Sequence, residues 1–584
     1  MNINHLWASL VIEELIRCGV LRFVIAPGSR STPLAVAALR NPRAITTTHF
    51  DERGAAFFAL GAGRMGRPAA VICTSGTAVA NCFPAVAEAA QSALPLIILS
   101  ADRPPELHDC GANQTMNQQQ LFGQYTRAFL NLPCPAWEIA PEAVLTRIDA
   151  VVARALTPGE CGPVHINGMY REPLAPTERL LPGPTTYLNA LDYWSESQEP
   201  LTEWRSGPRT LTENQIDSAC GLLAMAQHGL ILIGRMYTDE ERDAALEVAF
   251  RLGWPVFADI TSGCRMDIDC DNLVGCYDLL LHSPCFQKFC FPDCILHIGD
   301  SFVSKRLQQH LARLSPVYIH LSGRGENRDP IARVTYQLQA DIARSCRQLV
   351  ESAPDSENDL LVARYRAFDD AAKGILQQVI SKTKSFSELL IARIISSALE
   401  EPGSQLYLGN SMPVRSMDMA AFDVGATTVH ANRGVSGIDG NIATAAGMAW
   451  AANRRTVALI GDTTALHDLN SLALIAKMNL PVTLVIVNNG GGGIFSLLPI
   501  ATSEDVFEQG FRNPHSWRFK DAARMFGINY IMVSEEKRFE AALTNALNSD
   551  SPVIVEALVE QERNVDAYKQ MQAAMSELED AGDD

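Results

Sequence analysis

The 584-residue sequence contains no apolar run approaching the ~20 residues that a membrane-spanning helix needs. Its first stretch, MNINHLWASLVIEELIRCG, lacks a cationic leader and a cleavage site and carries Glu13, Glu14 and Arg17 within its apolar pattern, so it reads as a helix and not as a signal peptide. Positive charge is scarce: 48 Lys and Arg stand against 66 Asp and Glu, a formal net charge of −18. That balance argues against nucleic acid or an anionic membrane surface as the main partner, and it requires a local cluster of Arg and Lys wherever an anionic ligand binds. No C-x-x-C pair occurs among the 14 cysteines. The even spacing of Cys264, Cys270 and Cys276 is therefore weak ground for a zinc site, and thiols scattered through apolar segments, such as Cys73, Cys82 and Cys294, read as reduced and buried in a cytoplasmic protein. G-x-G-x-x-G is missing after the apolar run that starts at Gly229, which argues against a bound dinucleotide there.

A 47% share of hydrophobic residues with 20% charged describes a globular chain, long enough for roughly three to four domains. After the first helix, short apolar runs alternate with helix-like segments. Phe23–Ala26, Ala44–Thr48, Ala69–Cys73, Leu94–Leu99 and Val164–Asn167 read as strands, the last of them closing the first domain. This alternation predicts an α/β fold with parallel sheets covered on both faces. The polar turns PGSRST, HFDERG, TSGT and ADRPPE all fall at strand carboxyl ends and should share one rim. Two further units of the same form are expected, with strands from Gly229 to Ser322 and from Leu406 to Ala557, and the first and third units could be distant internal copies. The division expected is 1–180, a linker at 181–210 aromatic enough to pack against its neighbours, a central unit at 211–352, a charged helical connection at 353–400, a last unit at 401–565, and an acidic tail at 566–584 read as a frayed helix.

The most informative stretch is Gly461 to Asn489. An apolar strand ends in Gly461-Asp462, 25 residues intervene, and a second apolar strand ends in Asn488-Asn489 followed by Gly490 to Gly493. A carboxylate, an amide oxygen and a nearby backbone carbonyl at one sheet edge form an incomplete octahedron, which suits Mg²⁺ if a diphosphate supplies further oxygens. Taken alone, the two dipeptides read more readily as a helix cap and a turn. Glu52 in HFDERG is likewise readable as a helix-dipole charge behind an Asp51 cap.

Together, FDERG, GD-x25-NN, TSGTAVAN and the three-unit layout resemble the thiamine diphosphate (ThDP)-dependent 2-oxoacid decarboxylase and carboligase superfamily. IAPGSRSTPL, THFDERG, ADRPPEL-x-DCGANQ, GNSMPVR, NRGVSGIDG and GGIFSLLP narrow the resemblance to the 2-succinyl-5-enolpyruvyl-6-hydroxy-3-cyclohexene-1-carboxylate (SEPHCHC) synthases of menaquinone biosynthesis, over nearly the whole chain. The resemblance implies three ThDP-type α/β domains: pyrimidine-binding, central and diphosphate-binding. It implies decarboxylation of 2-oxoglutarate and 1,4-addition of the resulting four-carbon unit to isochorismate, with CO₂ as the released product. It also implies at least a homodimer, or a dimer of dimers, whose partners are small molecules. Glu52 would activate the cofactor, with Ile438 propping it and Gly461 beside it. Asp462, Asn489 and the Gly491 carbonyl would hold Mg²⁺, with Mn²⁺ as the alternative. Ser29, Arg30, Arg103, Asn113, Gln114, Lys305, Arg306, Ser411, Arg415, Arg433, Ile494, Phe495 and Leu498 match substrate-pocket positions, undivided between the two substrates. Two dicarboxylate substrates give a reason for cation clusters in an acidic chain. His49, His108 and His467 lie near motifs without a pairing, and proton transfer falls to the cofactor, water and Gln114. One departure stands out: Gly490 and Gly493 replace side chains usual in the family, and each glycine adds roughly 0.5 to 1 kcal/mol of ordering cost relative to Ala. Outside this reading stand an acetolactate-synthase-like carboligase, disfavoured by the GSRST and RPPEL blocks, and a non-catalytic cofactor-binding protein.

Overall fold

A computed structural model of the chain describes residues 2–176, 186–265, 270–353, 358–383, 385–399, 403–422 and 428–579. Three parallel sheets are present. The first holds β1 (Arg22–Ile25), β2 (Ile45–Thr48), β3 (Ala69–Cys73), β4 (Leu96–Asp102), β5 (Ala128–Leu132) and β6 (Pro163–Met169) in the order β2-β1-β3-β4-β6-β5. The second holds β7 (Gly229–Ile233), β8 (Val256–Ala258), β9 (Cys294–Ile298), β10 (Val317–Ser322) and β11 (Tyr336–Gln339) in the order β11-β10-β9-β7-β8. The third holds β12 (Ser404–Leu408), β13 (Thr428–Ala431), β14 (Arg455–Gly461), β15 (Val482–Asn488), β16 (Asn529–Val533) and β17 (Val553–Leu558) in the order β13-β12-β14-β15-β17-β16. The first and third sheets thus wind identically, each reversing direction after its first strand. That reversal opens a crevice beyond the strand carboxyl ends, where ligands bind in sheets of this kind. Central strands such as β3, β4 and β6 are buried at every position, as expected where helices cover both faces.

The chain forms two compact units. One comprises residues 1–207, 432–453 and 467–480; the other comprises 208–431, 454–466 and 481–584. In the first, the helices Glu52–Arg64 and Asn441–Ala452 press together at glycines: a Cβ on Gly61 would lie 2.2 Å from the Thr444 carbonyl oxygen, and one on Gly447 would lie 2.0 Å from that of Phe58. The aromatic residues after 185 divide. Tyr187 accepts a hydrogen bond from Trp7 Nε1 at 2.9 Å and donates to the Ile139 carbonyl, and Trp194 lies under Arg17, whereas Tyr193 and Trp204 are exposed. Residues 181–185 of the expected linker lie outside the described residues, as do 177–180 before it.

In the second unit, one large apolar core runs beneath the second and third sheets and includes Phe257, Tyr277, Phe286, Phe368, Leu406 and Phe539. Within it, Arg265 and Asp418 form a buried ion pair at 2.6 Å. The stretch read as a charged connection forms helices Asp359–Thr383 and Glu388–Ala398, with residues 354–357, 384 and 400–402 outside the described residues.

Three expectations need correction. The first sheet has six strands where five are expected: Val164–Asn167 is the last in chain order, but β5 pairs outside it, and the apolar alternation of RAFLNLP is short and follows a polar loop. Ala101 and Asp102 belong to β4 and not to the turn after it. The tail is not frayed over its first half: Gln561–Ser576 is a helix that buries Ala567, Tyr568, Met571 and Met575, an i, i+4 stripe obscured by its polar composition. Residues 580–584 of the tail lie outside the described residues. Among the described residues, no helix is long and apolar enough to cross a membrane.

Candidate active site

In the first unit, the turns after β1, β2, β3 and β4 carry the residues singled out from the sequence. Gly28 admits the closest approach, since a Cβ there would lie 2.3 Å from Thr74 Cβ, so the GSRST and TSGT turns touch at the reversal point of the sheet. Ser29 is exposed and its carbonyl accepts from the Thr32 hydroxyl at 2.7 Å. Arg30 is buried. Its Nη1 donates to the Tyr170 carbonyl at 2.8 Å, its Nη2 lies 3.4 Å from Glu172, and burial together with neighbouring Arg103 holds its guanidinium below the ordinary value. Arg103 grips the Asn113 carbonyl with Nε and Nη2 at 3.1 and 2.9 Å. Gln114 has φ of 55° and is tied to the TSGT turn in both directions: its Nε2 donates to the Ser75 carbonyl at 3.0 Å, and the Ser75 hydroxyl donates to its carbonyl at 2.9 Å.

Glu52 opens its helix immediately after Asp51, whose side chain caps it by accepting from the Arg53 and Gly54 amides at 3.0 and 3.4 Å. The cap is therefore Asp51, and the candidate acid is the residue after it. Asn81 Nδ2 donates to the half-buried Glu52 carboxylate at 3.3 Å. Arg433 and Ile438 are half-buried in this unit, in a segment anchored by Glu88, which accepts from the amides of Gly434 and Val435 at 2.8 Å each. Of the three histidines, burial pushes His49 down to about 4, His108 bonds the Arg103 carbonyl at 2.9 Å, and exposed His467 meets Arg53 at 3.0 Å.

In the second unit, β14 and β15 run side by side with Gly461 opposite Val487, so Asp462 and the Asn488-Asn489 pair emerge at one edge. Asp462 is 2% exposed. It accepts from the Thr463 amide at 2.5 Å and from the Gly491 amide at 2.9 Å, and His515 Nε2 lies 3.4 Å away. The two asparagines diverge. Asn488 turns inward, donating to Glu556 at 2.6 Å and to the Trp517 carbonyl at 3.0 Å, while Asn489 Nδ2 donates to Glu388 at 3.0 Å and its Oδ1 is buried without a hydrogen-bond partner. A buried amide oxygen without a protein partner, at the same edge as a buried carboxylate, fits the oxygen-ligand set of a hard cation.

The glycines here serve close approach. Gly490 and Gly491 have φ of 75° and 133°, and a Cβ on Gly491 would lie 2.5 Å from the Arg512 carbonyl oxygen. A Cβ on Gly493 would lie 2.4 Å from Asn489 Nδ2. Arg512 fastens the turn by donating to the carbonyls of Gly490 and Asn489 at 3.0 and 3.2 Å, and the Gly491 carbonyl accepts from the Gly493 amide at 2.8 Å with a lone pair to spare.

Lys305, Arg306, Ser411 and Arg415 all belong to this unit, where Asp278 pairs with Arg306 and its charge reaches Arg415. Arg306 pairs with the Asp278 carboxylate, and although burial opposes the charge, this guanidinium holds the carboxyl below the usual range. Arg415 donates to the Ser411 carbonyl at 2.5 Å, and burial lowers its pKa; Lys305 is exposed. Ile494 packs against the large core, Phe495 lies 5.7 Å from the Phe511 ring, and Leu498 is 44% exposed.

Sequence reasoning missed Glu388, Asn564, Asp278, Arg512 and His515. Glu388 follows the helix-capping Ser387, so in sequence it is indistinguishable from an ordinary first-turn acid, yet it is buried, which together with the Asp462 charge pushes its carboxyl up to about 7.

Comparison with known proteins shows the family. Models of the N-terminal and C-terminal thiamine pyrophosphate-binding domains of thiamine pyrophosphate enzymes match residues 7–121 and 416–557, and a model of the middle domain matches 185–408. Three similar proteins carry the name 2-succinyl-5-enolpyruvyl-6-hydroxy-3-cyclohexene-1-carboxylate synthase. That of Rubrobacter xylanophilus is 39% identical over 97% of this chain and 98% of its own length; that of Chlorobium phaeobacteroides is 40% identical over 99% of each. That of Aeromonas salmonicida is 41% identical over 93% of this chain and 92% of its own. The chain belongs to the SEPHCHC synthase family. As a member of this family it is a ThDP enzyme, and both of its thiamine-binding domains contain a sheet of the same strand order.

Proposed function

We propose that the chain is a ThDP- and Mg²⁺-dependent transferase that decarboxylates 2-oxoglutarate and adds the four-carbon product to isochorismate, forming SEPHCHC for menaquinone biosynthesis. The observation that carries this reading is the buried, unsatisfied Oδ1 of Asn489 beside Asp462, at the edge where two strands end together, in a chain of this family. Asp462, Asn489 and the Gly491 carbonyl would hold Mg²⁺, or Mn²⁺, with Gly461 leaving room beside them. When bound, ThDP supplies a carbon nucleophile and an electron sink for decarboxylation. Glu52 is assigned the ring-activating carboxyl, and Ile438 the apolar prop. Ser29, Arg30, Arg103, Asn113, Gln114 and Arg433 in one unit, with Lys305, Arg306, Ser411, Arg415, Ile494, Phe495 and Leu498 in the other, are assigned to the two dicarboxylate substrates. Arg30, Arg103 and Arg415 are held by backbone carbonyls, which fixes each guanidinium before substrate arrives. The domain reading is pyrimidine-binding at 1–180, central at 211–352 and diphosphate-binding at 401–565. A cytoplasmic homodimer, or a dimer of dimers, completes the proposal.

The deciding assay follows CO₂ release from 2-oxoglutarate with ThDP and Mg²⁺, with and without isochorismate. Release coupled to SEPHCHC formation is the expected result, and turnover of pyruvate in place of 2-oxoglutarate would overturn the assignment.

A further inference from the structure

A cation site needs its ligands aimed as well as present. An amide side chain has two similar ends, and only its oxygen can bind a hard cation. In this chain the end of Asn489 that faces inward is chosen by a residue far away in sequence. Glu388 is 4% exposed at the start of the helix Glu388–Ala398, and its Oε1 accepts from Asn489 Nδ2 and from Asn564 Nδ2, both at 3.0 Å. Asn564, 2% exposed, closes the lock by accepting from the Glu388 amide at 2.9 Å. That bond also satisfies one of the amides that a helix start leaves unpaired.

Glu388 is thus immobilised on both its backbone and its carboxyl group. An oxygen already receiving one amide N–H accepts a second, so the Asn489 amide must turn its nitrogen toward Glu388. Its Oδ1 is left buried with no partner, facing away from the lock. Gly493 keeps the space this orientation needs, since a Cβ there would meet Asn489 Nδ2 at 2.4 Å.

We propose that Glu388, backed by Asn564, is a positioning residue for the cation clamp: it orients the Asn489 amide so that Oδ1 serves as the metal ligand. The proposal rests on the reading of Asp462, Asn489 and Gly491 as a Mg²⁺ site. Outer partners of this kind tune affinity without touching the ion, and their loss weakens metal binding by about 10- to 100-fold.

The test uses the full-length protein and calorimetric titration of Mg²⁺ at fixed ThDP, together with melting of the cofactor-free protein. Glu388→Ala is expected to weaken Mg²⁺ binding about 10- to 100-fold and, because it leaves the Asn489 and Asn564 amides unpaired, to lower the cofactor-free melting temperature as well. Glu388→Gln keeps an acceptor oxygen facing both amides and is expected to restore Mg²⁺ affinity to near the parent value. A Glu388→Ala protein that melts lower but binds Mg²⁺ as the parent does would show a packing role only and overturn the proposal. A Glu388→Gln protein as weak as Glu388→Ala would also overturn it, because charge and not amide orientation would then be the operative property. Failure of the parent itself to bind ThDP in a Mg²⁺-dependent way would overturn the clamp reading beneath the proposal, and it is distinguished from the other outcomes by being visible before any substitution is made.

Discussion

Adding a single methyl group at Gly493 tests the geometry of the clamp without removing any polar atom. Gly493 does not occupy the left-handed region, so alanine is compatible with its backbone and the perturbation is purely one of space. The new Cβ would lie 2.4 Å from Asn489 Nδ2 and 2.9 Å from Gln561 Oε1. Nonbonded heavy atoms settle near 3.5 Å, so the Asn489 amide must retreat by about 1 Å. Its 3.0 Å bond to Glu388 is then lost, together with the aim of Oδ1. A hydrogen bond to a charged group contributes about 1.5–3 kcal/mol. At about 1.4 kcal/mol per factor of ten, the apparent Mg²⁺ affinity of Gly493→Ala should fall about 10- to 100-fold. The assay is ThDP-dependent CO₂ release from 2-oxoglutarate across a Mg²⁺ series, with activity recovering toward the parent's at high Mg²⁺. A variant whose Mg²⁺ dependence superimposes on the parent's would refute the claim that glycine is needed here to seat Asn489.

Other perturbations read other parts of the molecule. Glu52→Gln should retain Mg²⁺-dependent ThDP binding yet lose CO₂ release by about 10²- to 10⁴-fold, the range for a lost acid–base group; full turnover would return Glu52 to a helix-dipole role. Burial and the nearby Glu14 push the Asp149 carboxyl up to about 8, above its unfolded value, so its stabilising contribution is complete at acid pH and is lost as pH rises through 8. Asp149→Asn should therefore flatten the fall in melting temperature over that window, and an unchanged pH profile would exclude this carboxyl as its source. Arg265→Met leaves Asp418 buried without its 2.6 Å partner and should cost about 3–5 kcal/mol in urea unfolding, where parent-like stability would show the pair to be dispensable. Gly374→Ala lies in the helix Asp359–Thr383 with nothing within 4 Å of the new Cβ and should raise stability by about 0.5–1 kcal/mol, checked by the same unfolding curve.

What was legible in the sequence follows from what periodicity and spacing encode. Buried parallel strands are continuous apolar runs, so most strands of the three sheets could be placed to within two residues, and polar turns at their carboxyl ends marked the rims. Strands β5 and β11 escape this reading because polar residues break their short apolar runs, AFLNL and YQLQ. The helix Gln561–Ser576 hid its buried stripe among Gln, Glu and Lys. Spacing also puts Asp462 and Asn489 at one sheet edge, as the structure has them, but it does not separate Asn488 from Asn489. Adjacent strand residues point to opposite faces, so one amide enters the core to meet Glu556 and the other turns to Glu388. Glu388 was invisible because its partners lie on a strand end and a distant helix, a relation that no local pattern carries.

Charge shows the same limit from another side. Counting cations near motifs in a chain of net charge −18 raises the question of how many keep their charge available once folded. Arg306 does not, since it is paired with Asp278. Arg103 and Arg415 instead spend hydrogen bonds on backbone carbonyls, those of Asn113 and Ser411, and Arg30 bonds the Tyr170 carbonyl with Glu172 only at 3.4 Å. A carbonyl orients a guanidinium without cancelling it, whereas a carboxylate does both. The lowered proton affinity of Arg30 and Arg415 has burial as its main cause, which is the cost of keeping a cation in place with no full counter-charge. Under the proposed assignment, an incoming carboxylate would supply that missing charge at either residue.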